Sequence, residues 1–214
     1  MNLIIFGPQG SGKGTQAELL SAKFSLVHIE TGQIFREIAR EQSSLGLKIK
    51  ELNERKEMIP DDITVSVIAQ HINNISSQRG IILDSAPRTG GQVNLVEKML
   101  ENFGRSIDKA IYISLPYDES VTRITRRYAC MECYKHLIMG KDIVSKADRC
   151  PACGAPVHQR TDDTLDGIAK RLETFYAVTM PVIEQYRAQG ILIEVDGNQD
   201  REKVFEEIIA KIEN

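Results

Sequence analysis

The stretch Gly7-Pro8-Gln9-Gly10-Ser11-Gly12-Lys13-Gly14-Thr15 follows the apolar run Leu3-Ile4-Ile5-Phe6 and precedes Gln16-Ala17-Glu18-Leu19-Leu20. A short apolar strand, a glycine-rich loop closed by lysine and a helix-like run form the setting of a phosphate-binding loop. The spacing has a physical reason. Glycines at 7, 10, 12 and 14 let the backbone curl so that several N–H groups face phosphate oxygens at the positive end of the following helix. Lys13 adds a point charge for the β and γ phosphates, and the hydroxyl expected beside it arrives one position late, at Thr15, because Gly14 intervenes. The pattern therefore implies a subclass of nucleotide-binding protein.

Outward from this loop the chain alternates strand and helix, which predicts an α/β fold: a doubly wound parallel five-stranded sheet with helices on both faces. The expected strands are 3–6, 26–29, 80–83, 109–115 and 191–195, and the expected helices 13–23, 61–77, 89–102, 117–127, 162–187 and 200–212. In the long helix Leu165, Ile168, Ala169, Leu172, Phe175 and Tyr176 recur at helical spacing as a core stripe, with Asp162, Asp163 and Asp166 at its positive end. Two segments break the alternation, 31–60 and 128–159. Both read as inserted mobile modules on a core made of 1–30, 61–127 and 160–214.

Composition sets bounds on what the chain does. At 214 residues, 42% hydrophobic and 27% charged, it suits one soluble globular unit with excursions rather than a disordered or membrane-inserted chain. No apolar run approaches the ~18 residues of a spanning helix, and the N-terminal run stops at Phe6, short of a signal core. A net charge of −3 gives no bulk attraction to nucleic acid or anionic membrane. The expectation is a cytoplasmic monomer with neither as partner.

All the cysteines fall in one segment, as Cys130-x-x-Cys133 and Cys150-x-x-Cys153, 16 residues apart. Each pair presents two sulfurs from one tight turn, and the loop between can fold back as a hairpin, so the spacing suits a four-thiolate zinc site; iron can occupy the same thiolates. Disulfides are the competing reading, disfavoured in a reducing cytosol. Four protein ligands leave no open position for chemistry, which makes the metal structural.

The order of these pieces resembles the nucleoside monophosphate kinases and, among them, the adenylate kinases with a long zinc-bearing lid. The resemblance spans the chain and rests on G-P-Q-G-S-G-K-G-T at 7–15, T-G-Q-I-F-R at 31–36, L-D-S-A-P-R-T-G-G-Q at 83–92, R-I-T-R-R at 123–127, the four cysteines, R-T-D-D at 160–163 and K-R-L at 170–172. It implies reversible phosphoryl transfer from MgATP to AMP, giving two ADP, with 31–60 as the AMP-binding module and 128–159 as the lid over ATP. It assigns Lys13, Arg88, Arg127, Arg160 and Arg171 to catalysis. It gives ATP Gly10, Ser11, Gly12, Lys13, Gly14, Thr15, Arg123, Arg127, the backbone of His136 and Leu137, and the carbonyl of Gln199. It gives AMP Thr31, Arg36, the backbone of Glu57, Met58 and Ile59, Ser85, Ala86, Pro87, Arg88, Gln92, Arg160 and Arg171, with Thr31 and Gln92 reading adenine. Asp84, at the end of a strand, is placed to hold magnesium through water.

Physical chemistry supports the arginines independently. Two polyphosphates face to face, with a transferring group that spreads more charge over its equatorial oxygens, require several permanent cations. Arg123 and Arg127 are four apart on an expected helix and so share a face, with Arg126 turned away as a solvated charge. The acceptor is a phosphate oxygen already ionised at neutral pH, so no general base is required.

Three departures from the family pattern fall near the site: Gln33 where an aspartate is usual, Ser85-Ala86 for Gly-Phe, and Tyr134-Lys135-His136-Leu137-Ile138 for a Gly-x-x-Tyr-His run. Gln33 removes a carboxylate from the magnesium waters, Ser85 adds a side chain near the monophosphate, and Ala86 removes aromatic surface beside the nucleotide. The alternatives are a kinase preferring another monophosphate, or a nucleotide-driven switch or nucleic-acid-binding ATPase with a zinc ribbon. Against the latter, the cysteine segment lacks interleaved aromatics apart from Tyr128 and Tyr134, and no N-K-x-D motif occurs.

Overall fold

The computed structural model describes residues 1–55, 57–133, 135–159 and 163–213. Strand β1 (Asn2–Phe6) is central and buried on both faces, which is why it reads as a continuous apolar run rather than an alternating one. Its neighbours are β2 (Val27–Glu30), β3 (Ile81–Asp84), β4 (Lys109–Ser114) and, late in the chain, β8 (Leu192–Asp196); the order is β2-β3-β1-β4-β8 and every pairing is parallel.

Period-two alternation along β1 divides the interior in two. Ile4 and Phe6 enter the larger core with Ile34, Phe35, Val67, Ile68, Val96, Leu100, Ile183 and Tyr186, which come from helices α2 (Thr31–Ile38), α4 (Asp61–Ile72), α5 (Gly90–Asn102) and α8 (Met180–Ala188). Leu3 and Ile5 face the smaller core with Ala17, Leu20, Val204 and Ile208 of α1 (Lys13–Phe24) and α9 (Arg201–Glu213). Helix α3 (Ser44–Glu54) extends the segment after β2, capped by the Ser43 hydroxyl on the Gly46 N–H at 3.0 Å.

Three expected helices end elsewhere. The helix expected at 61–77 stops at Ile72, before Asn73 and Asn74. Helix α6 (Tyr117–Thr125) stops two residues short of 127, where the Thr125 hydroxyl turns back onto the Val121 and Thr122 carbonyls. Arg127 instead opens strand β5 (Arg127–Cys130), paired with β6 (His136–Ile138) and β7 (Val157–His158) in a small antiparallel sheet. Arg123 and Arg127 therefore do not share a helix face, which corrects the sequence expectation. The long helix begins at Leu165, capped by Thr164 on the Gly167 N–H, and runs as α7 (Leu165–Thr174) before a π turn at Phe175–Thr179. Residue 162 lies outside the described residues. Pro181, at the start of α8, has no N–H to give to a carbonyl one turn back, so the chain widens to an i→i+5 bond ahead of it. No helix is long and apolar enough to cross a membrane.

Candidate active site

The glycine-rich loop leaves the C-terminal end of the central strand, beside the point where the strand order turns from β3 to β4, as ligand sites in open parallel sheets do. Gly10 and Gly12 hold φ of 84° and 85°, the left-handed region that a side chain disfavours, and Gly12 precedes α1 without a capping side chain. The N–H groups of the first turn are thus directed at an incoming anion rather than at the protein's own oxygens. Ser11 is buried beneath the loop and Ser120 donates its hydroxyl to the Gln9 carbonyl. Arg123 spans the rear: Nε donates to Glu119 at 2.8 Å, and Nη1 to the carbonyls of Gly197 at 3.0 Å and Gly10 at 3.4 Å. This joins the loop to the β8–α9 connection, which carries Gln199, whose amide donates to the Asp196 carbonyl and to Glu207, both at 2.9 Å.

Burial pushes the Lys13 ammonium down to about 8; Asp84 opposes this, the Arg88 and Arg127 guanidiniums add to it, and Glu30 opposes it. Asp84, fully enclosed at the end of β3, remains ionised below the usual carboxylate range. Burial works against the charge, but the His28 hydrogen bond and the Lys13 charge outweigh it. His28 Nε2 lies 3.4 Å from Asp84 Oδ2, the Ser85 hydroxyl donates to Oδ1 at 2.8 Å, and the Thr31 hydroxyl donates to the Asp84 carbonyl at 3.1 Å. A Cβ on Gly14 would stand 3.6 Å from Oδ2, so this carboxylate lies against the phosphate loop. An ionised oxygen donor in that place fits magnesium, a hard cation that keeps most of its waters and takes its remaining ligands from carboxylate and phosphate.

Three arginines gather there: the charges of Arg88 and Arg127 act on Lys13, and that of Arg171 acts on Arg88. Arg88 is reached by solvent yet surrounded by protein groups; that enclosure lowers its pKa, Asp84 resists, the nearby Arg36 and Arg171 lower it further, and Glu30 resists. Its Nε donates to the Ser85 carbonyl at 2.7 Å. Arg127 and Arg171 are gathered by one buried carboxylate: Asp163 Oδ2 accepts Arg127 Nε at 2.9 Å, and Oδ1 accepts Arg127 Nη2 at 2.7 Å and Arg171 Nη2 at 2.9 Å. Asp163, directly before the Thr164 cap, lies at the positive end of α7 as the sequence suggested, and it also ties β5 to α7. Arg160 lies outside the described residues.

On the far side, Arg36 Nη2 donates to Glu30 Oε1 at 2.9 Å. Gln92 is buried, its Oε1 accepting the Arg88 N–H at 2.7 Å and its Nε2 donating to Asp61 at 2.9 Å. Ser85 takes a left-handed φ of 70° that the family glycine would adopt without strain, and its side chain turns toward Asp84. Ala86, followed by a cis bond to Pro87, is fully buried in the larger core with Ile34 and Phe35. It presents no surface to the cleft, contrary to the expected nucleotide-facing position. Gln33 points outward, donating to Glu37 at 2.9 Å. Glu57, Met58 and Ile59 form the α3–α4 connection, where Glu57 N–H donates to the Leu52 carbonyl and Ile59 packs on the larger core.

The small sheet carries the cysteines on two turns. Their four Sγ atoms lie within 4.8 Å of one another, with Cys130–Cys153 at 3.4 Å and Cys133–Cys150 at 3.7 Å. A tetrahedral ion with ~2.3 Å bonds to sulfur needs edges of ~3.8 Å, so this donor set fits zinc closely. The N–H groups of Glu132 and Cys133 point at Cys130 Sγ, at 3.4 and 3.5 Å, satisfying a thiolate from the turn itself. Among the described residues, Tyr128, Leu137 and Ile143 supply the other buried apolar bulk around them, with Met139, Ala155 and Val157 packed partly buried against it. Leu137 thus turns its side chain into this core, while His136 and Leu137 pair along β5. Tyr134 lies outside the described residues.

His28, Glu30, Asp61 and Asp163 organise the cleft without having been singled out as site residues. Asp163 stood inside a quoted motif, whereas the other three carry no local signal, because their partners lie elsewhere in the chain or on the next helix.

A parallel sheet with a phosphate loop on its central strand and cations converging beside it defines a P-loop phosphotransferase of the nucleoside monophosphate kinase class. The model of the family described as adenylate kinase matches residues 5–191. The chain is 35% identical over 214 residues to the adenylate kinase of Syntrophomonas wolfei subsp. wolfei, covering all of both proteins. It is 37% identical to that of Archaeoglobus fulgidus over 215 residues, 100% of this chain and 98% of that one, and 37% identical to that of Dehalococcoides mccartyi strain BAV1 over 211 residues, 99% and 97%. The chain belongs to the adenylate kinase family.

Proposed function

We propose that this enzyme transfers the γ-phosphoryl group of magnesium-bound ATP to AMP, reversibly, giving two ADP. The observation that carries this reading is the convergence of Lys13, Arg88, Arg127 and Arg171 beside Asp84, with Arg36 close enough to be felt at Arg88. That is an anion site with two ends. One end is the phosphate loop, where Gly10 to Thr15, Arg123 and the Gln199 carbonyl receive ATP, with His136 and Leu137 meeting it from the lid by backbone. At the other, Arg36, Arg88, Arg160 and Arg171 receive the acceptor phosphate, and Thr31, Gln92, Ser85, Pro87 and the backbone of 57–59 frame its nucleoside.

In the transfer an AMP phosphate oxygen forms a bond to the γ-phosphorus as the bond from that phosphorus to the β-bridging oxygen breaks, and no proton changes hands. Lys13, Arg88, Arg127, Arg160 and Arg171 offset charge on the in-flight group without reorganising, since Asp163 already aligns two of them. Asp84 would hold magnesium, which when bound would neutralise charge on the phosphates. Segment 128–159 acts as a lid that expels water, with zinc on its four thiolates as a structural brace, over a core of 1–30, 61–127 and 160–214 and an AMP module at 31–60. Four cysteines grouped as metal ligands suit a reducing compartment, and we place the enzyme in the cytoplasm as a monomer.

The test is a steady-state survey of acceptors with purified protein and MgATP. AMP is expected to give the highest kcat/KM. Equal efficiency with CMP, UMP or GMP overturns the adenine assignment, and no transfer to any monophosphate overturns the reaction.

A further inference from the structure

Among the described residues, Glu30 is a cleft carboxylate that is only half-buried and is held by an arginine rather than by a neutral partner. It closes β2 in register with Asp84 at the end of β3, so the two carboxylates leave adjacent parallel strands on the same side. Asp84 is taken by His28 and Ser85, whereas Glu30 Oε1 lies 2.9 Å from Arg36 Nη2. The pair sits over the first turn of α2, where a Cβ at Gly32 would stand 3.2 Å from Arg36 Nη1 and 3.8 Å from Glu30 Oε1. Both side chains keep solvent contact, 38% and 27%, and a pair so exposed adds little to stability. Its field does reach the reacting groups: Glu30 supports the charge on Lys13 and on Arg88.

We propose that Glu30 is a specificity-determining residue of the acceptor end, whose carboxylate competes with the incoming phosphate for Arg36. The inference rests on the assignment of Arg36 to the acceptor phosphate. A phosphate dianion outbids a carboxylate for a guanidinium, but it must displace Glu30 and then sit beside a liberated negative charge. A nucleoside monophosphate offsets this with contacts along its base and sugar. A free oxyanion such as inorganic phosphate has none, so the same penalty falls on it unrelieved. Glu30 thereby keeps small anions off Arg36 at the expense of a higher KM for the nucleotide, a loss on ground and transition states alike.

The experiment is Glu30→Gln, which keeps shape and an acceptor oxygen while removing the charge. Melting shifts with inorganic phosphate alone, then with AMP alone, give a binding readout that needs no turnover; kinetics give KM and kcat. Removal of the competing charge is expected to tighten inorganic phosphate and lower KM for AMP by a similar factor, ~5-fold, with kcat moving less than twofold. In an Arg36→Ala background the same substitution is expected to give less than a twofold gain, because the competition has lost its object. An unchanged or raised KM and an unchanged phosphate affinity in folded Glu30→Gln overturn the proposal, as does an equal gain without Arg36. If phosphate binding tightens through Arg36 while AMP is not a substrate of the unmutated protein, the competition stands and the acceptor assignment falls.

Discussion

Lys13 shows what the cleft requires of a single residue. Burial, with the guanidiniums of Arg88 and Arg127 nearby, pushes its ammonium down to about 8, well below an ordinary lysine. Because the unfolded chain keeps its proton to a higher pH, the folded protein binds fewer protons between about 8 and 10.5, and stability rises with pH across that window. The charge is thus a cost to the empty protein and is used only when phosphate arrives. Lys13→Met is expected to raise the melting temperature of the ligand-free protein while lowering turnover by ~10² or more. In the unmutated enzyme KM for ATP is expected to be flat below about pH 8 and to climb above it as the ammonium is lost. A flat profile to pH 9.5, or a variant that turns over normally, contradicts this role. Lys13 was legible because its whole context lies within nine residues of sequence. Asp163 and Glu30 were not legible as partners. The first joins Arg127 across 36 positions, and the second pairs with an arginine six positions on only because a strand ends and a helix begins between them.

Among the elements, the small three-stranded sheet is the least able to stand by its own packing, with two of its five buried core members being cysteines. Binding energy at such sites is on the order of 10 kcal/mol or more, comparable with the stability of a whole domain. One zinc per chain is expected by elemental analysis of gently purified protein. Chelation should release amide protection in 127–158 while the five-stranded sheet keeps its own, and should lower the melting temperature more than it harms turnover in the cold. Uniform loss of protection, or no metal, contradicts this. The five core strands were legible to within a residue because burial on both faces writes apolar runs into the sequence, whereas the helix expected at 61–77 ends five residues early, at Ile72. The boundary at 125–127 was not, since Arg126 and Arg127 continue a helical pattern and only pairing with a strand ten residues later pulls Arg127 into a sheet. The π turn was hidden likewise: Pro181 was visible, but its effect depends on how the preceding turn packs.

At the scale of the molecule, the sheet separates the chemistry at one end of its strands from a different kind of fastening at the other. Arg105 is buried there and donates to the carbonyls of Ile75, Ser76 and Arg79 and to Asn2 Oδ1, pinning the α4–β3 connection to the start of β1. Arg105→Ala removes four hydrogen bonds made by one buried cation, and a loss of ~2 kcal/mol is expected by urea denaturation, with KM values unchanged. A change in KM with stability intact contradicts a purely structural role. Five parallel strands were foreseeable, but not their spatial order, because pairing joins segments as far apart as β1 and β3 and leaves no local trace. The grip of Asp163 on Arg127 has one more effect, on how the chain can change. These two residues stand where the polypeptide departs for the cysteine-bearing sheet and where it comes home, so that excursion is a loop with its ends already knotted. Lengthening a loop costs little once its ends are tied. Insertions, deletions or a protease nick at its outer turn near the exposed Val144 therefore leave the knot in place and the rest of the protein undisturbed.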